Sequence, residues 1–278
     1  MATAGSEGFN PTWDSQNVFA LTARYYARYR PYYPEEAIAL LIEKFNLNSD
    51  SQVLDLGCGP GHLALQLAPH VARVVAVDPL EEMLLEAHHT ARQKSLANIE
   101  WICGESGRLM ELAPRIGQVD LTVMGRSFHW MDRGKTLKEL YSMTLSTGGI
   151  AILGESGSRD DVSTPWREII WGTVKRWLGE ERKAGTTGIY TQPDRNHQTL
   201  AKESPFRNVE VVRIDLERTW NLDEIIGYLY STSWASIPVL GEKREPFENE
   251  LRQRLMECEP SGRFHETATV EVIMAWKQ

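Results

Sequence analysis

Between Val53 and Ala68 the chain reads VLDLGCGPGHLALQLA, an apolar run that meets Gly57, Gly59 and Gly61 and passes directly into a helical pattern. Glycines at such a turn let the backbone take positive φ and approach a ligand closely. The dinucleotide fingerprint would put its third glycine three residues after the second, where His62 stands instead. Asp55 lies inside the end of this first run, and the next run, VVAV, stops at Asp78. A carboxylate at the end of a second strand is positioned to receive both hydroxyls of a ribose. The glycines alone would be satisfied by a tight turn with no ligand. The two acids, each at a strand end, point instead to a bound nucleoside.

Farther on, Ser127-Phe128-His129-Trp130 follows another apolar run, and an unperturbed imidazole in such a place can exchange protons near neutral pH. His129 reads as a base, as a group that orients an acceptor, or as a packed pocket wall. Tyr25 and Tyr29, four residues apart, share one helix face, with Arg24, Arg28 and Arg30 around them. They form either a solvated basic face over a packed aromatic stripe or a lid over a ligand. No HExxH or similar pair is present, so no metal is expected.

GxGxG behind an acidic residue resembles the first motif of class I S-adenosylmethionine (SAM)-dependent methyltransferases. The strings SFHWMD and ARYRPYYP resemble the trans-aconitate methyltransferase-like, type 11 branch of that family. The resemblance covers most of the chain and implies SAM as cofactor. It implies cofactor contacts from Gly57, Gly59, Gly61, Asp78, Pro79, Met83, Ser127 and Phe128, and from Glu105 or Ser106 near the adenine amino group. It also implies that Tyr25, Tyr29 and Arg30 close over the cofactor and that Asp55 faces the methionine amino group. His129, Trp130, Tyr230 and Trp234 would line the methyl-acceptor site. The acceptor is expected to be a small molecule methylated on oxygen, nitrogen or a carboxylate. A tRNA or protein methyltransferase and a non-catalytic SAM-binding module are the alternatives.

The elements that must hold these residues follow from periodicity. Short apolar runs at Gln52–Leu56, 74–77, 99–102, 121–124 and 150–153 alternate with amphipathic segments such as Glu81–Gln93 and 133–145. That rhythm implies βαβ units and a parallel sheet buried on both faces. Helical character over 14–29 must end near Arg30, because the residue before Pro31 is pushed out of the α region. Later, Pro165–Leu178, Leu222–Tyr230 and 242–257 read as helices, 180–188 as a Gly-rich polar loop, and 209–216 and 268–276 as alternating strands. The expectation is a Rossmann-like, doubly wound, seven-stranded, mostly parallel α/β sheet with an antiparallel edge. It is organised as one domain: an N-terminal helical lid (1–48), a cofactor-binding core (49–155), and helical cap insertions with edge strands (156–278).

Bulk properties narrow the partners. Over 278 residues, 30 basic and 38 acidic side chains give a net charge of −8. Phosphate contacts dominate nucleic-acid affinity, so an acidic chain without a basic stripe is not expected to bind nucleic acid. No apolar run is long enough to span a membrane. The N-terminal stretch lacks the basic and apolar regions of a signal peptide, and the three cysteines have no metal or disulfide spacing. A reduced, cytoplasmic protein is expected, with its oligomeric state open.

Overall fold

Five strands with almost no polar residue in their centres build the sheet first: β1 (Gln52–Leu56), β2 (Arg73–Asp78), β3 (Ile99–Cys103), β4 (Val119–Gly125) and β5 (Thr144–Ser156). Val53, Leu54, Val74, Val75, Leu121 and Val123 are fully buried, so this part of the sheet is covered on both faces. The structure, a computed structural model, describes residues 19, 21–156, 164–190 and 195–278. After a small hairpin of β6 (Lys183–Ala184) and β7 (Gly188–Ile189) come the long strands β8 (Arg207–Asn221) and β9 (Arg263–Trp276). The large sheet runs in the order β3-β2-β1-β4-β5-β9-β8. Strands β1 to β5 are parallel, and β9 is antiparallel to both β5 and β8. The strand order reverses between β1 and β4, and open α/β sheets bind ligands beyond the strand ends at such a point.

The helices are α1 (Ala23–Tyr29), α2 (Glu35–Lys44), α3 (His62–Leu67), α4 (Glu81–Gln93), α5 (Leu109–Ile116) and α6 (Arg133–Met143) in the first half. The second half holds α7 (Pro165–Leu178), α8 (His197–Glu203), α9 (Leu222–Tyr230), α10 (Ile237–Leu240) and α11 (Arg244–Cys258). Local chemistry explains several of their starts. Asp132 accepts the Lys135 N–H to cap α6, and Asn221 with Glu224 forms a capping box on α9. The segments α7, α9 and α11 bury Trp166, Ile225, Phe247 and Leu251 among themselves and against Trp220 and Phe264 of the edge strands.

The seven-stranded, mostly parallel sheet is as expected, but boundaries differ. Strands β8 and β9 extend beyond 209–216 and 268–276, because one flank of β8 faces solvent and its charged residues hide the alternation. The expected loop 180–188 contains the β6–β7 hairpin. Of the expected helix over 14–29, Phe19 is helical, Leu21 takes φ +57° and interrupts it, and α1 begins at Ala23; the residues before Phe19, and Ala20, lie outside those described. Helices α5 and α8 have no counterpart in the periodicity reading.

One buried ionic group locks the antiparallel edge. Glu266 on β9 is 3% exposed, accepts the Trp220 indole N–H at 2.8 Å, and pairs with Arg218 at 3.1 Å and with Arg167. Removing one partner of such a group leaves the others desolvated and under-paired. Glu266→Ala is therefore expected to cost about 3 kcal/mol in chemical denaturation, near the lower limit for buried pairs because Arg167 is partly exposed. A loss below about 1 kcal/mol would show that the cluster is not a structural lock.

Candidate active site

The loop after β1 is pinned to the end of β2. The N–H groups of Gly57 and Cys58 donate to the Val77 carbonyl at 2.8 and 3.0 Å. Asp78 Oδ2 accepts the Gly59 N–H at 2.8 Å, and its Oδ1 accepts the Leu80 N–H at 3.0 Å. Gly57, Gly59 and Gly61 all have positive φ, which an L side chain would resist. Their surroundings differ. A Cβ on Gly57 would meet Ser127 at 2.5 Å, and one on Gly61 would meet the Trp101 ring at 2.8 Å. At Gly59 nothing lies within 4 Å, because the position opens into a cavity.

That first cavity has a volume of about 410 Å³, within the range of small-molecule sites. Gly57, Gly59, Asp78, Pro79, Met83, Glu105, Ser106 and Ser127, all among the expected cofactor contacts, line it together with Leu80 from the start of α4. A second cavity of about 280 Å³ lies beyond it, with His129, Trp130 and Trp234, three of the residues expected at an acceptor site, in its wall. Phe19, Tyr26, Arg126, Ser127 and Trp130 border both cavities, so the two meet there.

Other expected residues fall elsewhere. Tyr25 and Tyr29 do not line the first cavity: Tyr29 packs against the bare backbone of Gly227 and Tyr25 against Tyr230 at 5.3 Å. Successive helical residues are about 100° apart, and α1 turns Tyr26 inward instead. Tyr230 sits on that outer side too, with its hydroxyl on Glu248 at 2.5 Å, and is absent from the second cavity. Arg30 and Phe128 border the second cavity rather than the first. Gly61 faces Trp101 and Ala87, a helix–strand contact. Asp55 is buried and accepts the Ala64 N–H at 2.9 Å, satisfying an otherwise unpaired donor in the first turn of α3. Sequence reasoning missed Tyr26, Leu80, Arg126, Arg182 and His197. Arg126 had one signal available, its place directly after β4, where it takes φ +56°.

The electrostatics are unusual in both cavities. Burial pushes the Asp78 carboxyl up to about 6, against the opposing pull of the Leu80 and Gly59 N–H groups. Burial likewise lifts Asp55 to about 7, with Asp78 adding repulsion. His129 moves the other way: burial, then His197, Arg182, Arg133 and Arg30, push its imidazole down to about 3. A shift in that direction favours the neutral imidazole. Such a ring can donate or accept a hydrogen bond and is a weak proton acceptor.

The methyltransferase-domain family matches residues 53–149, which run from β1 into β5. Over those residues the chain matches a methyltransferase domain. SAM is the cofactor of such domains. An uncharacterized methyltransferase of Schizosaccharomyces pombe is 31% identical over 144 residues, 51% of this chain and 53% of that protein. The chain thus spans about half the length of that relative. An uncharacterized methyltransferase of Mycobacterium tuberculosis is 29% identical over 210 residues, 75% of this chain and 74% of the relative. Among solved structures, a putative type II methyltransferase from Anaeromyxobacter dehalogenans aligns with a TM-score of 0.62 at 22% identity, covering 89% of this chain and 97% of the other. This likeness is one of fold. The methyltransferase domain therefore supplies the loop after β1 and the end of β2, whereas Tyr26 of α1, Arg182, Trp234 and Ile273, which help to enclose the cavities, lie outside residues 53–149.

The buried acids make stability depend on pH in a definite direction. A carboxyl whose folded pKa exceeds its unfolded value contributes stability below about pH 4, and that contribution is lost as pH rises through the folded value. For Asp55 the window runs from about pH 4 to about 7. Asp55→Asn keeps an acceptor for the Ala64 N–H and carries no charge. Relative to the wild type, the variant should gain up to a few kcal/mol between pH 4 and 8, since each pH step of one between the unfolded and folded values is worth about 1.4 kcal/mol. Urea denaturation at several pH values measures this; a variant that loses ground as pH rises would contradict it.

Proposed function

We propose that the protein transfers a methyl group from SAM to a small molecule, with the cofactor in the first cavity and the acceptor in the second. The observation that carries this reading is Gly59: at φ +54°, its missing side chain leaves open space beside a buried carboxylate. Asp78 uses one lone pair of each oxygen on the protein backbone and keeps the others for two ribose hydroxyls. Leu80 and Met83 form an apolar wall suited to adenine, with Glu105 and Ser106 at its polar edge. The backbone at Gly57 and Gly59 faces the amino-acid end.

SAM, when bound, supplies a methyl carbon made electrophilic by its sulfonium. The chain's own task is then alignment and exclusion of water, and proximity of this kind can provide much of the acceleration. Tyr26 and Trp130, shared by the two cavities, present aromatic faces that attract a cation. Neutral His129 orients the acceptor through a hydrogen bond. The size of the second cavity and the net charge of −8 favour a small acceptor over a nucleic acid. SFHWMD and ARYRPYYP favour the trans-aconitate-like branch. One domain in a reducing compartment accords with unpaired Cys58, Cys103 and Cys258. Among the described residues no helix is long and apolar enough to cross a membrane.

Calorimetry with S-adenosylhomocysteine tests the cofactor assignment. Asp78→Ala removes two charge-assisted hydrogen bonds of roughly 1.5–3 kcal/mol each, so affinity should fall at least tenfold. Gly59→Val should abolish binding, since its side chain enters the cavity. Unchanged affinity in either variant would overturn the reading. Once an acceptor is in hand, His129→Gln should lower turnover less than about 100-fold and leave the pH profile without a change near neutrality. A wild-type profile with an ionisation near pH 6.5 that vanishes in His129→Gln would restore the base role.

A further inference from the structure

The second cavity has more positive charge than its own residues neutralise. Three guanidiniums reach its wall, those of Arg30, Arg126 and Arg182, and two carboxylates, Glu155 and Glu271. Both carboxylates are already engaged. Glu155 pairs with Arg126 at 3.1 Å and with Arg218 at 3.4 Å, and Glu271 pairs with Arg213 at 2.9 Å. Arg126 is thereby balanced. Arg30 and Arg182 are not: among the described residues neither has a carboxylate partner.

The two remaining cations are held in place without being neutralised. Arg30 donates from Nε to Ser231 Oγ at 2.8 Å and lies over the rings of Tyr26 and Tyr228, at 5.0 and 4.6 Å from their centroids. Arg182 stacks over Tyr190 at 4.2 Å, and its buried Nε has no hydrogen-bond partner among the described residues. Burying a guanidinium N–H without an acceptor costs free energy, and burial indeed lowers the Arg182 pKa from its ordinary value. Ring stacking pre-orients a guanidinium fork without using its in-plane donors; among the described residues those of Arg182 stay free for a bidentate oxyanion, whereas Arg30 gives Nε and Nη2 to Ser231, at 2.8 and 3.4 Å, and keeps Nη1. Phe128, Ile152, Trp234 and Ile273 add an apolar and aromatic wall, beside Ser127, Ser233, His129 and His197.

Position separates this charge from the junction of the cavities. Arg30 and Arg182 border the second cavity alone, whereas Ser127, Trp130 and Tyr26 border both. We propose that the second cavity selects a small molecule bearing a carboxylate or similar oxyanion, which Arg182 and Arg30 anchor away from the first cavity, so that a different atom of the same molecule is presented at the shared wall. This inference rests on the reading of the second cavity as the acceptor site. It makes Arg182 a specificity-determining residue that positions the acceptor.

Three probes with one body and different heads test it: phenylacetate, phenethylamine and 2-phenylethanol. Their affinities are measured by calorimetry, with and without S-adenosylhomocysteine, on the wild type and on Arg182→Gln and Arg182→Lys. Phenylacetate is expected to bind at least tenfold more tightly than the amine or the alcohol. Arg182→Gln should erase that preference at unchanged S-adenosylhomocysteine affinity, and Arg182→Lys should restore part of it. Equal binding of the three probes, binding of none, or a preference that survives in Arg182→Gln would overturn the proposal. Should Arg182→Gln fail to fold, the ranking of probes on the wild type decides alone. The two readings fail separately. If S-adenosylhomocysteine does not bind while phenylacetate binds through Arg182, methyl transfer falls and the anion site stands; if S-adenosylhomocysteine binds and phenylacetate shows no advantage, only the anion site falls.

Discussion

Two hydrogen bonds accepted by Asp78, from Gly59 at 2.8 Å and Leu80 at 3.0 Å, determine the shape of the first cavity. They clamp the loop that leaves β1 to the turn that starts α4, so the glycine backbone and the carboxylate arrive together at the point where strand order reverses. The clamp has an electrostatic cost. Asp78 is almost fully buried, lies near a second buried acid in Asp55, and has a raised pKa of about 6. A site built this way gains from a ligand that brings hydroxyl donors and a positive charge. The nucleoside and sulfonium of SAM provide both.

The second cavity reverses the sign. Burial, with nearby cations adding to it, depresses His129, and two guanidiniums have no counter-charge among the described residues. Between the anionic and cationic ends stand Tyr26 and Trp130, whose rings accommodate either a cation or an apolar body. The buried Glu266 cluster supports this arrangement from behind. Arg218 joins Glu266 to Glu155, and Glu155 holds Arg126 at the exit of β4. The antiparallel edge of the sheet and the floor of the second cavity therefore share one ionic network.

What could be read from the sequence divides along the distance over which each feature is encoded. Asp78, Gly57 and Gly59 were legible because a strand, a tight loop and a helix start are local events with residue requirements of their own. Gly61 was legible as a positive-φ residue, but its neighbour Trp101 comes from another strand, so its packing role was not. Periodicity revealed a helix containing Tyr25 and Tyr29 and could not reveal its rotation. That rotation depends on α9, where Gly227 lacks a side chain and admits the Tyr29 ring. Tyr26, one residue away, therefore lines the cavity. Arg182 stands just before a two-residue strand in a glycine-rich loop and His197 opens a seven-residue helix, and no local pattern links either to His129. Nor could the depressed pKa of His129 be anticipated, since it results from burial, and from charges brought together only by folding.

The central claim is that the space between Gly59, Asp78 and Glu105 is the SAM site. Determining the structure of the protein crystallised with S-adenosylhomocysteine tests it most directly. The account requires density in the first cavity, with both ribose hydroxyls on the Asp78 carboxylate and the amino-acid end along the Gly57 and Gly59 backbone. Density for the ligand anywhere else, or an Asp78 carboxylate that makes no contact with the ribose, would contradict it.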